Sequence, residues 1–312
     1  MAIKGFPGKD AIENKGWLKA HKWLLARRVS QIGILALFLI GPLAGIWIVK
    51  GNLSGSMTLD VLPLTDPFLL LQSMLSGSLP VLSGAIGALI VLVFYALVGG
   101  RVFCSWVCPV NLVTDLAAWL RRRFDLRGNS SLSRNLRYGL QGLALLCPMV
   151  TGVIVWEYLN PVSMFHRGLI FGMGTAWVII AAVFLFDLLV AKHGWCGRLC
   201  PMGAFYGLIG SGALLRVSAV QREKCDDCMD CFEVCPEPQV IKPALKGRDN
   251  CVGPVILDIN CTNCGRCIDV CGKDVFRFDS RFHNREGLPE SCEKIQIALA
   301  ATAVPGKRQI RN

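Results

Sequence analysis

Two cysteine runs of the same spacing constrain this chain more than any other feature of its sequence. The first, CDDCMDCFEVC, starts at Cys225, and the second, CTNCGRCIDVC, ends at Cys271; each reads C-x-x-C-x-x-C-x-x-x-C. In this pattern three closely spaced thiolates hold one [4Fe-4S] cluster, while the fourth cysteine reaches the neighbouring cluster. Two-residue gaps allow one tight loop to wrap three corners of a cube, and soft thiolates suit iron–sulfur chemistry.

The spacing therefore predicts two [4Fe-4S] clusters in a small α+β ferredoxin-like domain over residues 216–280. Zinc is one alternative, but it usually takes its four ligands as two separated pairs, which leaves the triplets unexplained. A disulfide scaffold is another alternative, and it would require an oxidising compartment. The predicted ligand sets are Cys225, Cys228, Cys231 and Cys271 for one cluster, and Cys261, Cys264, Cys267 and Cys235 for the other.

Long apolar stretches precede these runs. Spanning a bilayer takes ~20 apolar residues, and four stretches approach that length with almost no charge. A buried core helix is the alternative for each, but four together predict an all-α polytopic membrane domain over residues 31–215. Asp187 is the only acid within the stretches, and it could be functional or mark the water boundary, as could Glu157. The predicted spans are residues 31–49, 80–100, 138–156 and 169–191.

The net charge of +11 is distributed in a way that predicts topology rather than nucleic-acid binding. Basic residues collect in the N-terminal arm, residues 1–30, and between residues 101 and 134, whereas the other two connections hold only Lys50 and Arg167. Basic loops stay on the cytoplasmic side, so both termini, the ferredoxin-like domain and the polar tail at 281–312 are predicted to be cytoplasmic. The arginine run at 121–123 lacks the aromatic residues on which bases stack.

The second and fourth apolar stretches each lead into a C-x-x-x-C-P motif, RVFCSWVCPVN and HGWCGRLCPMG. The loops before them echo each other as Asp-Pro at 66–67 and Asn-Pro at 160–161, which predicts a duplicated two-helix unit. Cysteines four apart share a helix face, so pseudo-symmetry would bring four thiolates to one site. Simple packing is the alternative. The redox or metal candidates are Cys104, Cys108, Cys196 and Cys200, which could form a third iron–sulfur centre, a thiol–disulfide pair or a metal site.

The remaining cysteines, Cys147, Cys251 and Cys292, have no partner at ligand spacing and are predicted not to be ligands. Two histidines, His166 on the predicted outer side and His193 on the inner side, could take a proton from a quinol. A lone interfacial histidine is otherwise simply solvated.

With these motifs in hand, the chain resembles the NapH family, the membrane ferredoxin-type subunits of periplasmic nitrate reductase systems. The resemblance implies four transmembrane helices in the bacterial inner membrane, two [4Fe-4S] clusters and a part in quinol oxidation. It also implies a NapG-type ferredoxin subunit as partner, with electrons bound for the nitrate reductase. Gly272 stands where ferredoxins often have proline, which we expect to change loop geometry rather than ligation. The segments that carry the resemblance to the NapH family include GWLKAHKWLLARR, VLPLTDP, VFCSWVCP, WEYLNPVS, FLFDLLVAKHGWCGRLCP and CMDCFEVCPEP.

Two functions of different class fit these features. The first is an electron-transfer protein that oxidises membrane quinol, in which the cofactors carry the chemistry and the protein sets position and potential. The second is an assembly or maturation factor that reduces a metal or disulfide in another protein. The C-x-x-x-C-P pairs fit both, and the NapH-like segments favour the first. The predicted clusters lie inside and the acceptor outside, so quinol or a partner subunit would have to bridge the bilayer.

Overall fold

A computed structural model describes residues 6–126, 132–172, 174, 176–248, 250–285 and 292. Most of the predicted polar tail, 281–312, therefore lies outside the described residues. The chain forms a larger, mainly helical part followed by a smaller cysteine-rich part. The α-helices are α1 (Lys9–Lys15), α2 (Trp17–Ala20), α3 (Lys22–Ala44), α4 (Pro67–Leu75), α5 (Leu82–Val98), α6 (Val110–Arg123), α7 (Leu136–Thr151), α8 (Val155–Leu159), α9 (Pro161–Phe171), α10 (Ala176–Leu185), α11 (Pro201–Ile209), α12 (Asp230–Val234), α13 (Ile241–Lys246) and α14 (Arg266–Val270).

Two small antiparallel sheets accompany the helices. One has the strand order β1-β2-β3 and lies between α3 and α4, and the other pairs β4 with β5 in the cysteine-rich part. The strands are β1 (Val49–Gly51), β2 (Gly55–Thr58), β3 (Leu62–Thr65), β4 (Leu215–Ser218) and β5 (Arg277–Ser280).

The sheet β1-β2-β3 corrects the all-α prediction for residues 31–215. The carboxamide oxygen of Asn52 accepts hydrogen bonds from the N–H groups of Ser54 (2.9 Å) and Gly55 (3.0 Å), which turns the chain between β1 and β2. Leu59 and Asp60 adopt positive φ angles in the second turn. Because both turns are tight, the connection pairs with itself instead of continuing as helix.

The helical part repeats one unit twice. In each copy a long helix (α3 or α7) precedes a helix capped at an Asx-Pro pair (α4 or α9), then an apolar helix (α5, or α10 with the π-helical turn that continues it to Val190), a cysteine motif and a further helix (α6 or α11). Helices α4 and α9 begin in the same way, since Asp66 and Asn160 accept a hydrogen bond from the N–H two residues later and proline follows each cap. The duplication is thus visible in local geometry as well as in sequence.

Helix α3 begins at Lys22 and ends at Ala44, whereas the sequence predicted a span over 31–49. Its first-turn N–H groups at Trp23 and Leu24 donate to the Asp269 carboxylate, at 3.1 and 2.8 Å. The first N–H groups of a helix have no intrahelical partner and favour negative charge. A carboxylate of the cysteine-rich part therefore caps α3, so the last third of the predicted N-terminal arm is helix.

One helix among the described residues, Lys22–Ala44, is long and apolar enough to cross a membrane by length and composition. The apolar helices Leu82–Val98 and Ala176–Val190 are shorter. Many of their large apolar side chains face outward, among them Leu89, Phe94 and Trp177. Large contiguous apolar surfaces mark interaction sites or membrane contacts, whereas scattered apolar side chains are normal on any protein surface.

The cysteine-rich part has its own small core, formed by Val217, Ile241, Phe276 and neighbouring apolar residues. Helices α12 and α14 each contain the third cysteine of a triplet, and they pack against each other. The N-terminal arm lies across this part, where the N–H of Gly8 donates to Asp230 at 2.8 Å. Trp23 of α3 packs edge-on against Phe278. The two parts of the chain therefore share an extensive boundary.

Candidate iron–sulfur site

The first predicted ligand set surrounds one small cavity. Its walls are completed by apolar side chains that include Phe232, Leu245 and Phe276. Positive φ angles at Asp227 and Met229 let the loop turn tightly enough for its three thiols to face inward. The lining cysteines are Cys225, Cys228, Cys231 and Cys271.

The second predicted set surrounds a separate cavity, again with three cysteines from one run and the last cysteine of the other. Asn263 and Gly265 supply the positive φ angles in this loop. Gly265 is also needed sterically, because a Cβ there would lie 2.7 Å from the side chain of Trp23. The lining cysteines are Cys235, Cys261, Cys264 and Cys267.

The chemistry of these donors fits an iron–sulfur cluster, whose ligands must be thiolates. Burial alone would raise the pKa of Cys264, but the charges of Arg266 and Arg27 outweigh it and lower that pKa below its ordinary value. Burial and the neighbouring thiols raise the pKa of Cys231 to about 12. A cluster bound in either cavity would stabilise the thiolate form of the four cysteines that line that cavity, as coordinated metal does.

The four C-x-x-x-C-P cysteines also come together. Burial raises the pKa of Cys108, and the charges of Cys104 and Cys200 raise it further. Burial likewise raises the pKa of Cys200 to about 12, with Cys104 as its principal charged neighbour. The pKa of Cys196 is raised by burial and by the charges of Asp187 and the other three thiols. Four thiols from two distant segments thus lie within electrostatic reach of one another.

A single turn of π-helix holds each motif, at Phe103–Val107 and at Trp195–Leu199. The N–H of Cys108 donates to the carbonyl of Phe103, and the N–H of Cys200 donates to the carbonyl of Trp195, both at 2.9 Å. The proline that follows each cysteine then starts a new helix. Turns of this kind are uncommon and are frequent at functional sites.

Polar groups from α3 hold the first motif in place. The buried amide of Gln31 donates to the carbonyls of Ser105 (3.0 Å) and Cys108 (3.3 Å). The hydroxyl of Ser30 donates to the carbonyl of Trp106 at 2.9 Å. A glutamine in an apolar stretch therefore orients the motif, a role that the sequence pattern did not indicate.

Different groups hold the second motif. The N–H of Trp195 donates to the Asp187 carboxylate at 2.8 Å, and the Arg137 guanidinium donates to the carbonyl of Gly197 at 3.2 Å. The Asp187 side chain is buried within the protein. It orients the backbone that carries Cys196.

The first motif contacts a ligand loop of the ferredoxin-like part directly. The hydroxyl of Ser105 donates to the carbonyl of Thr262 at 2.8 Å. The indole N–H of Trp106 donates to the carbonyl of Asn263 at 3.1 Å. Both carbonyls belong to the two residues between Cys261 and Cys264.

A buried charge group joins the second motif to the same cavity. Glu237, two residues after Cys235, accepts hydrogen bonds from Arg101 (3.0 Å) and Arg137 (3.1 Å). Arg101 also donates to the carbonyl of Cys196 at 3.0 Å. Burial would raise the pKa of Glu237, but the charge of Arg101, a hydrogen bond from Gln239 and the charge of Arg137 together outweigh it and lower that pKa. No sequence pattern indicated a role for these three charged residues; the available signal was an acid just after a ligand cysteine.

The remaining predicted residues lie apart from these groups or play other roles. Cys147 is in α7, and Cys251 forms a disulfide with Cys292, so each of the latter two has a partner that its spacing did not reveal. His166 and His193 are both buried rather than solvated. His166 packs against a phenylalanine of α3, whereas His193 lines a cavity beside the ferredoxin-like part.

Comparisons with protein families bear on both cysteine groups. A family model described as a 4Fe-4S binding domain matches twice, at residues 80–127 and 173–218, and each match contains one C-x-x-x-C-P motif. A second model with the same description matches residues 217–241, which contain the first ferredoxin run. The duplicated unit is therefore recognised as iron–sulfur binding in both of its copies.

Several curated proteins match almost the whole chain. The ferredoxin-type protein NapH of Haemophilus influenzae is 50% identical over 89% of this chain and 96% of its own length. NapH of Escherichia coli is 49% identical over 88% and 95%, respectively. The methylamine utilization ferredoxin-type protein MauN of Paracoccus denitrificans is 53% identical over 87% and 95%. No solved structure gives a significant match. The chain belongs to the NapH-type family of ferredoxin-type, iron–sulfur electron-transfer proteins.

Proposed function

We propose that the ferredoxin-like part binds two [4Fe-4S] clusters, one in each four-cysteine cavity. The first would take Cys225, Cys228, Cys231 and Cys271, and the second would take Cys235, Cys261, Cys264 and Cys267. Bound clusters supply one-electron redox chemistry, while these loops supply thiolates, apolar walls and the charges that tune them. The crossed pattern, in which each cavity draws one ligand from the other run, supports two clusters over two independent zinc sites.

We further propose that Cys104, Cys108, Cys196 and Cys200 form a third iron–sulfur centre. Two matches to a 4Fe-4S binding model, each covering one pair, support this centre over a thiol–disulfide pair. The π-helical turns and the dedicated polar supports would hold the two pairs at a fixed separation. The buried arginines Arg101 and Arg137 would offset part of the negative charge of four thiolates.

The function that this arrangement supports is electron transfer between membrane quinol and the ferredoxin-like clusters. One observation carries it: both C-x-x-x-C-P motifs contact the loops of one ferredoxin cavity, through Ser105 and Trp106 on one side and through Arg101 and Glu237 on the other. A protein that merely packed its cysteines would not need the first motif in direct hydrogen-bonded contact with a ferredoxin loop and the second motif joined to the same cavity through Arg101.

We place the helical part in the bacterial inner membrane, with α3, α5, α7 and α10 as spans and both termini in the cytoplasm. The outward apolar side chains of these helices and the basic segments next to the ferredoxin-like part support this topology. Reporter fusions after Arg123 should report a cytoplasmic location, and fusions near Gly55 and Ser163 should report a periplasmic one. A periplasmic signal from the fusion after Arg123 would contradict this topology and indicate the opposite orientation.

As acceptor we propose a periplasmic nitrate reductase, reached through a NapG-type ferredoxin subunit. The 53% identity to a MauN protein favours methylamine utilization as a second candidate system. Expression in bacterial strains that lack either NapH or MauN separates the two: rescue of nitrate respiration alone supports the first, and rescue of methylamine growth alone supports the second. A maturation role remains the alternative of different class.

The decisive test is reduction of the purified protein under anaerobic conditions. Iron and sulfide analysis with electron paramagnetic resonance after dithionite addition counts the clusters. A quinol analogue added in place of dithionite should reduce the same centres. Full reduction by dithionite with none by quinol analogues would reject quinol oxidation and favour the maturation role.

A further inference from the structure

A cavity of about 480 Å³ lies where the N-terminal arm, α3, α6 and the ferredoxin-like part meet. Small-molecule sites in proteins usually fall between ~300 and 1,000 Å³. Neither the predicted ligands nor the C-x-x-x-C-P cysteines line it. The cavity is therefore separate from both cysteine groups and needs its own account.

The polar side of this cavity contains an arginine that lacks acceptors. Arg27 is fully buried, and its three guanidinium nitrogens have no hydrogen-bond partner within the part of the chain that the structure describes. Its nearest acid, Asp115, is 3.6 Å away and is already paired with Arg28 and Arg266. Buried donors without an acceptor are costly. A ligand oxygen in the cavity would satisfy them.

The opposite side is apolar and opens outward. Leu116 and Trp119 of α6 line the cavity and remain 52% and 44% exposed, and Leu25 of α3 is exposed beside them. Trp17 and Leu18 are also exposed, in the same short helix as Ala20, which lines the cavity. Tryptophan favours the boundary between membrane and water. The opening thus suits a ligand with a polar head and an apolar tail that arrives from the bilayer.

The cavity also borders the ligand loops of both ferredoxin cavities. Arg266, which lines it, stands between Cys264 and Cys267 in the sequence, and Val270, which also lines it, precedes Cys271. Arg27 is close enough to lower the pKa of Cys264. A ligand here would therefore lie beside the electron acceptors. An anionic lipid is the other amphipathic ligand that arginines attract, but it exchanges no electrons and so does not require a position beside the cysteine ligand loops.

We propose that this cavity binds the head group of the membrane quinol, with Arg27 donating a hydrogen bond to one ring oxygen and His193 accepting one from a ring hydroxyl. The inference rests on the proposed quinol oxidation and names its site. The quinol becomes quinone by losing two electrons, taken singly by the iron–sulfur centres, and two protons. The protons leave one at a time through His193 to water at the cavity opening.

The surroundings of His193 agree with that role. Burial lowers its pKa to about 3, helped by the charge of Arg266, so the ring is neutral at physiological pH and has a free lone pair for a hydroxyl. Asp115 also faces it and favours the protonated ring once a proton arrives. Lys192 and Arg122 oppose that form, which would help the proton to move on.

The test compares the cluster-loaded full-length parent with Leu116→Trp, which narrows the exposed opening, and with Leu89→Trp, a matched change on the outer face of α5. Binding of the quinol-site inhibitor 2-heptyl-4-hydroxyquinoline N-oxide is followed by fluorescence quenching. Reduction by a quinol analogue and by dithionite is followed in parallel. We expect Leu116→Trp to weaken inhibitor binding about tenfold and to slow quinol reduction, with dithionite reduction intact and Leu89→Trp unchanged.

Two further variants address the polar side. Arg27→Gln should weaken inhibitor binding by about tenfold or more, since it removes a charged donor. His193→Gln should slow quinol reduction more than it weakens inhibitor binding. If Arg27→Gln does not fold, the exposed Leu116→Trp still decides the question. If His166→Gln slows reduction while His193→Gln does not, the site lies elsewhere.

Failure of the site and failure of the function are distinguishable. In one outcome the parent binds the inhibitor and is reduced by quinol while every cavity variant gives the same results. That outcome would refute the proposed site but not quinol oxidation. A parent that quinol never reduces would overturn the proposed function itself. Anionic phospholipid that co-purifies with the parent and is lost in Arg27→Gln, with inhibitor binding unchanged, would assign the cavity to lipid and refute the proposal.

Discussion

The eight ferredoxin cysteines and the four C-x-x-x-C-P cysteines reach their sites by different routes. Each ferredoxin cavity takes three thiols from one short loop, so most of its geometry is local. The other four come as two pairs from segments that lie far apart in the chain, and they meet only because the duplicated unit folds against its own copy. The first kind of site tolerates change elsewhere in the protein, whereas the second depends on the helical packing around it.

The supporting residues differ in the same way. Loop turns with positive φ, at Asp227 and Asn263 for example, shape the ferredoxin cavities from within. Long-range hydrogen bonds from Gln31, Asp187 and Arg137 position the two C-x-x-x-C-P motifs. Removal of a distant polar group should therefore disturb the second kind of site and spare the first.

The largest effect is expected from Cys264→Ser, which removes a ligand from one local loop. The variant should lose the iron and sulfide of one cluster and the matching paramagnetic signal, because a hydroxyl is a poor substitute for a soft thiolate. Cys147→Ser, in α7 and outside both groups, is the control and should retain full cluster content. Equal iron content in both variants would contradict the ligand assignment.

Cys104→Ser should separate the two groups of cysteines. The ferredoxin signals should persist after dithionite reduction, while reduction by a quinol analogue is impaired, because the proposed third centre would be one of the centres that take the two electrons of the quinol and its motif contacts the loop between Cys261 and Cys264. The double variant with Cys196→Ser should be no worse than either single change, as residues that act as one unit are not additive. Normal quinol-driven reduction in both single variants would return these cysteines to a packing role.

Glu237→Gln should destabilise the contact between the helical part and the ferredoxin-like part. It leaves Arg101 and Arg137 buried without their counter-charge, and breaking a buried ion pair costs about 3–5 kcal/mol. The lowered pKa of Glu237 means that its stabilisation exists above its ordinary pKa and disappears as pH falls through the folded-state value. The parent should therefore lose stability in acid more steeply than the variant does, measured by thermal unfolding in detergent.

The matched control for this change is Glu233→Gln, which alters an exposed pair with Lys192. Exposed pairs contribute about 0–1 kcal/mol, so its unfolding temperature should stay close to that of the parent. Similar losses in the two variants would show that the buried group around Glu237 does not join the two parts.

The smallest effect is expected from Cys292→Ser, which should leave cluster content unchanged because Cys292 lies beside Cys251 and lines neither ferredoxin cavity. The oxidation state of Cys251 and Cys292 in cells also tests the proposed topology. Disulfides are rare in the cytosol, so the predicted topology expects both thiols to be alkylated in rapidly quenched cells. Protection of Cys251 from alkylation in such cells would argue for an oxidising side.

The sequence allowed much of this site to be predicted, because iron–sulfur ligation follows local spacing. The C-x-x-C-x-x-C-x-x-x-C runs suggested which cysteines share a cavity, and the structure groups them in the same way; their ligation stays a prediction. The duplicated C-x-x-x-C-P motifs likewise indicated that four thiols could meet. The sheet β1-β2-β3 and the start of α3 at Lys22 were missed, since a turn and a helix cap depend on contacts that no periodic pattern reveals.

By itself, then, the sequence determined the cysteine sets, the apolar stretches and the duplication, all of which are written in short, regular spacing. Only the tertiary structure decided that Ser105 and Trp106 contact the loop between Cys261 and Cys264, and that Glu237 lies between Arg101 and Arg137. The physical reason is that the worth of a buried charge or hydrogen bond depends on partners distant in sequence. Only folding brings those partners within about 3 Å.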